Sequence, residues 1–127
     1  MTAPSYYFRT RDELVAAAAA RLLEDDERDV AAAIASGGLP FLLARWSSPS
    51  RRYRLVARFE LFLDATRDPK TRALLRRQRA TFLEAARAAF EQAGMSEAAL
   101  RGELLVATMD GLLLGGLVGP KRSSGEL

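Results

Sequence analysis

The chain has 127 residues and a formal net charge of +3, and hydrophobic residues make up 49% of it, which fits one globular domain rather than a disordered segment. It contains no cysteine and no histidine, which excludes disulfides, thiolate chemistry, Cys/His zinc sites and histidine acid–base catalysis. No motif supplies a base for a serine or threonine nucleophile, so we expect no catalytic site, no metal and no cofactor. We therefore do not expect an enzyme.

Membrane insertion and secretion are not indicated either. No apolar run free of charges and helix breakers reaches the roughly 20 residues that a membrane span needs. The first residues lack the basic and apolar regions of a secretory signal. We therefore expect a cytoplasmic protein with no membrane partner. Its basic residues are mostly arginine and are spread along the chain, which favours a codon bias over a dedicated nucleic-acid surface.

The first predicted helix begins after Thr10. This residue can cap the helix, and Glu13 stands at the capping-box spacing from it. An alanine run at residues 16–20 favours helix, so the prediction is a helix over residues 11–23. Four acids follow at residues 24–27, where they would oppose the helix macrodipole. We predict that these acids form a solvated turn that ends the helix, with a cation-binding loop as the alternative.

The stretch Tyr7-Phe8-Arg9-Thr10-Arg11-Asp12-Glu13-Leu14 resembles a junction in TetR-family transcriptional regulators. In that family a Tyr-Phe pair ends the DNA-binding three-helix unit, and a basic turn with an acidic-Leu pair opens the helix into the ligand-binding domain. Only five residues, Met1 to Ser5, precede Tyr6, Tyr7 and Phe8 here. The resemblance implies a remnant of the DNA-binding unit in residues 1–9, which includes Tyr6, Tyr7 and Arg9. It implies a regulatory domain in residues 10–120.

Three shorter helical segments are predicted in the middle of the chain. Residues 29–36 are helical in pattern, and Gly37-Gly38 interrupts them. A helix restarts near Leu39 with a proline in its first turn. Ser48 and Pro49 open a further helix over residues 49–66, whose arginines, Arg58 among them, are predicted on the solvated faces. Its predicted apolar face comprises Leu55, Val56, Phe59, Phe62, Leu63 and Thr66.

The last two predicted helices are the longest. Asp68-Pro69 opens one that runs to Ala93, with Gly94 as the residue that ends it. The final helix, over residues 97–118, is hydrophobic nearly all round, and Asp110 is the only ionisable residue between Leu104 and Val118. One core covers only one face of such a helix, so the other face predicts a partner subunit. Residues 121–127 are predicted to form a disordered tail.

The predicted fold is all-α, a bundle-like domain of about six helices with no competing β pattern. It resembles the C-terminal domain of TetR-family regulators, in which the final two helices of each subunit form a four-helix bundle. We therefore predict a homodimer that forms through the last two long helices. The candidate interface residues are Leu74, Leu83, Phe90, Leu105, Gly111, Leu112 and Gly115.

In the resembled family, effector ligands bind in an apolar pocket between the helices that correspond to residues 30–118. The candidate ligand-binding residues are Phe41, Trp46, Phe59, Phe62, Phe82 and Met109, with Asp110 as a polar anchor. A filled core requires the same apolar stripes, so ordinary packing is the alternative for each residue. For Asp110 the alternative is a salt bridge to an arginine of the preceding helix or of the partner subunit.

The resemblance implies the effector-binding and dimerisation domain of a TetR-like repressor, with a small hydrophobic effector. Operator DNA would be a partner only if the N-terminal unit were present, so this polypeptide is not expected to bind operators alone. In a complete relative, the ligand would shift the first long helix and change the separation of the DNA-reading heads. The alternative is a helical dimerisation module without a small ligand. Attachment to a membrane surface through the basic residues 49–67 is a weaker third possibility.

Overall fold

The computed structural model describes residues 10–119, and this part of the chain is helical, with no strand in it. A short 3-10 turn, Pro49–Arg51, leads directly into the third helix. The five α-helices are α1 (Arg11–Ala35), α2 (Gly38–Trp46), α3 (Arg52–Ala65), α4 (Pro69–Gln92) and α5 (Ala98–Val118). The predicted all-α fold is confirmed. The predictions for residues 1–9, including Tyr6, Tyr7 and Arg9, and for the tail lie outside the described residues.

The first helix is one continuous element of 25 residues where the sequence predicted two, so about six helices become five. The predicted cap is confirmed, because the Thr10 side chain accepts a hydrogen bond of 3.1 Å from the backbone N–H of Glu13. The helix then runs through the acids at residues 24–27 without a break, so the prediction that these acids end it is wrong.

Two of those acids, Asp25 and Asp26, are tolerated within α1 because basic side chains of α3 neutralise them. Asp25 accepts a hydrogen bond of 2.9 Å from Arg54, and Asp26 accepts one from Arg58. Asp26 is buried rather than solvated. A local argument from the helix macrodipole fails here, since the compensating charges come from another helix. The acids therefore join α1 to α3.

The break between α1 and α2 is confirmed at the two glycines. Gly37 has φ +94° and Gly38 has φ +62°, backbone angles that residues with a side chain seldom adopt. A Cβ atom on Gly37 would lie 2.8 Å from the Cβ of Phe41, which is closer than two carbons can approach. Glycine is thus required at this turn, which reverses the chain from α1 into α2.

The turn between α3 and α4 is held by side chains on both sides. Asp68 caps α4 by accepting from the backbone N–H of Lys70 at 3.1 Å and from the hydroxyl of Thr71 at 2.8 Å. The Arg72 guanidinium donates to the carbonyls of Ala65 and Thr66 at 2.8 and 3.1 Å, which satisfies the free end of α3. The predicted start of α4 is confirmed.

The helices α4 and α5 pack against each other along their length in opposite directions. Gly94, with φ +76°, follows the end of α4 as predicted. Near the start of α5, a Cβ on Gly102 would lie 3.1 Å from the backbone nitrogen of Arg87. Further along, Asp110 of α5 faces Arg79 of α4 at 3.5 Å. Glycine at 102 therefore permits the closest approach of the two backbones.

The buried apolar residues form two clusters, and Arg58 contacts the rings of Trp46 and Phe82 in the larger one. The predicted apolar face of α3 is partly wrong, because Arg58 is buried while Val56 and Leu63 are 37% and 67% exposed. The smaller cluster comprises Ala19, Leu23, Leu61 and Leu75. The larger comprises Ala33, Leu42, Trp46, Leu55, Phe82, Met109 and Leu113.

Candidate functional site

A cavity of about 430 Å³ lies within the larger cluster, with α1 and α2 on one side and α4 and α5 on the other. Small-molecule sites commonly enclose roughly 300–1,000 Å³ and have mostly apolar walls. This cavity meets both criteria. Its apolar wall includes Val30, Ala33, Ile34, Leu39, Leu42, Trp46, Phe82, Ala86, Ala89, Leu105, Val106 and Met109.

The cavity has a buried end and an open end. At the buried end Trp46, Phe82 and Met109 are each less than 10% exposed. At the open end Ile34 is 63% exposed, and Gln92 of α4 is also exposed. Ten residues of α4 separate the two ends, which corresponds to about 15 Å along the helix axis. The shape is therefore that of an elongated pocket open to solvent at one side.

Two charged side chains border this apolar space. Asp110 forms a weak ion pair with Arg79 of α4 at 3.5 Å, and its side chain is 25% exposed. The sequence offered two interpretations of Asp110, a polar anchor for a ligand or a salt bridge to an arginine of the preceding helix. Asp110 forms that salt bridge and also lies on the cavity wall. Arg58 enters from α3 at the buried end and is only 5% exposed. A buried guanidinium in an apolar wall is the most distinctive chemical feature of the cavity.

The Arg58 guanidinium is held by one carboxylate and by aromatic rings. It donates to Asp26 through Nη1, and its central carbon lies 4.5 Å from the centre of the Trp46 ring. The rings of Phe62 and Phe82 lie 5.9 and 5.8 Å away. Contact with ring faces offsets part of the cost of removing a cation from water. Its Nε–H is buried and has no hydrogen-bond acceptor among the described residues.

A second carboxylate, Asp29, fixes the end of α2 beside the cavity. The Trp46 indole N–H donates to one of its oxygens at 3.0 Å, and the Arg45 Nε–H donates to the other at 2.9 Å. Arg51 approaches at 3.4 Å from the 3-10 turn. The buried indole N–H of Trp46 and both carboxylate oxygens of Asp29 are thereby given partners, as burial requires. The orientation of the Trp46 ring in the cavity wall depends on this carboxylate.

The acids on α1 titrate differently because they differ in burial. Burial raises the pKa of the Asp26 carboxyl to about 6, since the loss of water outweighs the attraction of Arg58 and Arg54. The hydrogen bond from Arg54 lowers the pKa of the Asp25 carboxyl, which is closer to solvent. The same hydrogen bond raises the pKa of the Arg54 guanidinium. Of these two carboxyl groups, Asp26 therefore keeps its proton to the higher pH.

The structure brings together four of the predicted ligand-binding residues on the cavity wall, namely Trp46, Phe82, Met109 and Asp110. The other three are placed elsewhere. Phe41 is 40% exposed, and Phe59 packs on Phe62 with ring centres 5.5 Å apart.

The predicted interface residues lie in different environments. Gly111, Leu112 and Gly115 are exposed on α5, whereas Leu105 lines the cavity and Leu74 packs on the smaller core cluster. The remaining two, Leu83 and Phe90, are half-buried on α4.

Sequence reasoning missed the charged residues of the buried end. Arg58 stands three residues after Leu55 and before Leu61, which places it on the buried face of α3. A signal for Asp26 was present as well, because it continues a regular stripe along α1. That stripe is Ala19, Leu23, Asp26, Val30 and Ala33.

Two other kinds of site were checked within residues 10–119. This range holds no cluster of three or more side chains arranged to bind a metal ion. In the acidic segment, Asp25 and Asp26 face arginines, which does not support the alternative of a cation-binding loop there. None of the helices in the same range has both the length and the hydrophobicity needed to cross a bilayer.

Comparison with known proteins gives one match. The family model described as "Tetracyclin repressor-like, C-terminal domain" matches residues 36–126, more than half of the chain. No curated protein and no solved structure matches significantly. The matched range covers α2 to α5, which contribute most of the cavity wall. The resemblance seen in the sequence is confirmed, and the chain belongs to the family of tetracyclin repressor-like C-terminal domains.

Proposed function

We propose that this domain binds a small apolar effector in the cavity and dimerises as the regulatory part of a TetR-like transcriptional regulator. The observation that carries the proposal is the cavity itself, because about 430 Å³ of mostly apolar space that reaches from the core to solvent has the size and lining of a small-molecule site. Packing alone favours collapse of such a space. A regulatory rather than a catalytic role agrees with the family, and the wall offers no nucleophile beside a base.

Thermal stability in the presence of small apolar molecules tests the cavity. A ligand that binds only the folded state raises the melting temperature, and toluene is a suitable probe because it needs no polar contact. The substitution Ala89→Trp, at the open end, would place an indole in the cavity and abolish the shift. A matched change on the same helix is Ala80→Trp, which lies outside the wall and would leave the shift intact.

Signal transfer would run along α1. This helix contributes Val30, Ala33 and Ile34 to the wall and continues without a break to Arg11. The distance from Val30 to Arg11 is about 30 Å along the helix axis. Because α1 is one rigid rod rather than two helices, displacement of its wall segment by a ligand would also move its N-terminal end.

Dimerisation is proposed through α5. An exposed apolar stripe runs along this helix with spacings of three and four residues, and four of its members are 49% to 83% exposed. A stripe of this period suits helix packing against a second copy. Two small residues of this stripe, Ala107 and Gly111, would let the α5 helices of the two subunits approach closely. The stripe comprises Leu100, Leu104, Ala107, Gly111, Leu114 and Val118.

Sedimentation velocity tests this interface. Introducing charge with Leu104→Glu and Leu114→Glu together is expected to convert a dimer to a folded monomer, because the charges would be buried at the interface. The control is Leu63→Glu, since Leu63 is 67% exposed on α3 and lies outside the stripe. It should leave the dimer intact. A wild-type protein that sediments as a monomer at micromolar concentration refutes the proposal.

We also propose that the polypeptide of 127 residues does not bind operator DNA by itself, because the described helices form the regulatory domain. A sequence-specific gel shift that persists at physiological salt would refute this. The alternative function is a dimerisation module without a ligand. It would be favoured if dimerisation is found while toluene and other apolar compounds leave the melting temperature unchanged.

A further inference from the structure

The cavity runs along one face of α4, and its two ends differ in chemistry. Four residues of this face line it at spacings of three and four, Phe82, Ala85, Ala89 and Gln92. The two alanines leave the space that larger side chains would fill, between the Phe82 ring at the buried end and the Gln92 amide at the open end. The cavity therefore extends about 15 Å along α4.

The buried end is suited to apolar atoms. It is formed by side chains that are each less than 10% exposed, Trp46, Phe82 and Met109. The Trp46 N–H already donates to a carboxylate of α1, and the Arg58 cation is paired with Asp26. The Nε–H of Arg58 is enclosed by protein, so a molecule in the cavity does not reach it. A charged group brought to this end would lose its water without gaining a free counter-charge, which is costly.

The open end is suited to a polar group. Ile34 is 63% exposed there, and the Gln92 amide is exposed as well. The other charged side chain on the wall, Asp110, is already paired with Arg79. A head group at the open end keeps its contact with water, so this orientation avoids the cost of burying it. A molecule with one apolar end and one polar end therefore fits the cavity in one direction only.

We propose that the cavity takes a single-chain amphiphile tail first, with an unbranched alkyl chain along α4 and a polar head in water beside Gln92. This inference rests on the proposed effector-binding function and deepens it. An extended chain of roughly twelve carbons spans the length of the cavity, because each bond of about 1.5 Å advances a zigzag chain by somewhat less than its length. Since the head stays outside, the length of the tail determines the affinity.

A series of alkanoates from hexanoate to tetradecanoate tests the chain length, by calorimetric titration into the full chain below their micelle concentrations. Each added methylene should tighten binding about fourfold while it is buried in the cavity. The gain should end at roughly twelve carbons, when the chain reaches the Phe82 ring. An affinity that does not depend on chain length overturns the inference.

Two further ligands test the orientation against decanoate. Decanedioate carries a second carboxylate, which would lose its water at the buried end, so it should bind at least about tenfold more weakly. Decyl maltoside should bind at least as tightly as decanoate, because its bulky uncharged head also remains in water. Binding with the head at the buried end would reverse this order, since the disaccharide would be excluded and the second carboxylate would lie in water.

The substitution Ala85→Phe places a ring across the cavity, three residues of α4 before the buried end. It should shorten the usable length by about 4.5 Å and end the gain at roughly eight carbons. The matched control is Ala80→Phe, because Ala80 is exposed on the same helix and lies outside the cavity wall. It should leave the limiting chain length where it is in the wild-type protein. An unchanged limit in a folded Ala85→Phe variant overturns the inference.

The outcomes separate the two proposals. If toluene raises the melting temperature while decanoate does not bind, or while decanedioate binds as tightly as decanoate, the inference is overturned and the effector cavity stands. If neither toluene nor decanoate binds, the proposed function itself fails. Should Ala85→Phe not fold, the length series and the comparison with decanedioate in the wild-type protein decide the question.

Discussion

The indole N–H of Trp46 donates a hydrogen bond of 3.0 Å to the carboxylate of Asp29 and so ties the end of α2 to the middle of α1. Both residues are buried. Arg45 binds the other carboxylate oxygen at 2.9 Å. Loss of this carboxylate would leave a buried indole donor without an acceptor, which is costly in an apolar wall.

We accordingly expect Asp29→Ala to lower the free energy of unfolding by about 2–4 kcal/mol. Asp25→Ala on the same helix is the matched control, because Asp25 is closer to solvent and its loss should lower the free energy of unfolding by clearly less. Urea denaturation measures both. Equal losses for the two variants would show that the bond to Trp46 contributes little.

The close approach of α4 and α5 depends on the absence of a side chain at Gly102. An added methyl would lie 3.1 Å from the Arg87 nitrogen and would force the helices apart, so Gly102→Ala should destabilise by about 1–2 kcal/mol. A methyl at Gly116 of the same helix meets nothing within 4 Å. There alanine should stabilise by about 0.5–1 kcal/mol through helix propensity. Stabilisation by both substitutions, measured by urea denaturation, contradicts the described packing.

The raised pKa of Asp26 predicts a specific dependence of stability on pH. Its folded pKa of about 6 lies above the ordinary aspartic acid pKa of 3.8, so the folded protein holds this proton more tightly than the unfolded chain. The contribution to stability is full below the unfolded pKa and is lost as the pH rises through about 6. The variant Asp26→Asn carries a neutral side chain at every pH. Subtracting its stability from that of the wild-type protein removes the contribution of the other acids, because they titrate in both proteins.

Relative to Asp26→Asn, the wild-type protein should therefore lose about 1–3 kcal/mol of stability between roughly pH 4 and pH 7. Urea denaturation at several pH values gives this difference. A wild-type protein that gains stability relative to the variant over the same range would mean that the attraction of Arg58 exceeds the cost of burial.

The start of α4 is expected to depend on its cap. Asp68→Ala removes the acceptor for the Lys70 N–H and the Thr71 hydroxyl and should lower the melting temperature. Asp64→Ala is a suitable comparison, since Asp64 makes only an exposed pair with Arg67 at 3.3 Å and should cost less than about 0.5 kcal/mol. Thermal denaturation of the two variants distinguishes these effects. If Asp68→Ala is as stable as Asp64→Ala, the side chain of Asp68 does not stabilise the start of α4.

The parts of the fold that local chemistry decides were predictable from the sequence. Thr10 caps α1, Gly37 ends the turn into α2, Asp68 caps α4 and Gly94 follows it, all at the predicted positions. Each of these residues acts on its own neighbours in the chain. Such contacts can be inferred from spacing alone.

The parts that contacts between distant residues decide were not predictable in this way. The acidic residues 24–27 remain helical because Arg54 and Arg58 of α3 reach Asp25 and Asp26, about 30 positions away in sequence. Arg58 itself is buried because aromatic rings and a carboxylate from three other helices surround it. The cavity depends on the separation of α2 from α4, which apolar stripes do not specify.

The central claim is that the space between α2 and α4 receives a small apolar molecule. The most direct test is a crystal of the wild-type protein soaked in bromobenzene, with the bromine located by its anomalous scattering. The account predicts a bromine peak within the cavity, bordered by Leu42, Phe82 and Met109. A well-ordered structure with no peak there, and with these three side chains closed against one another, would contradict it.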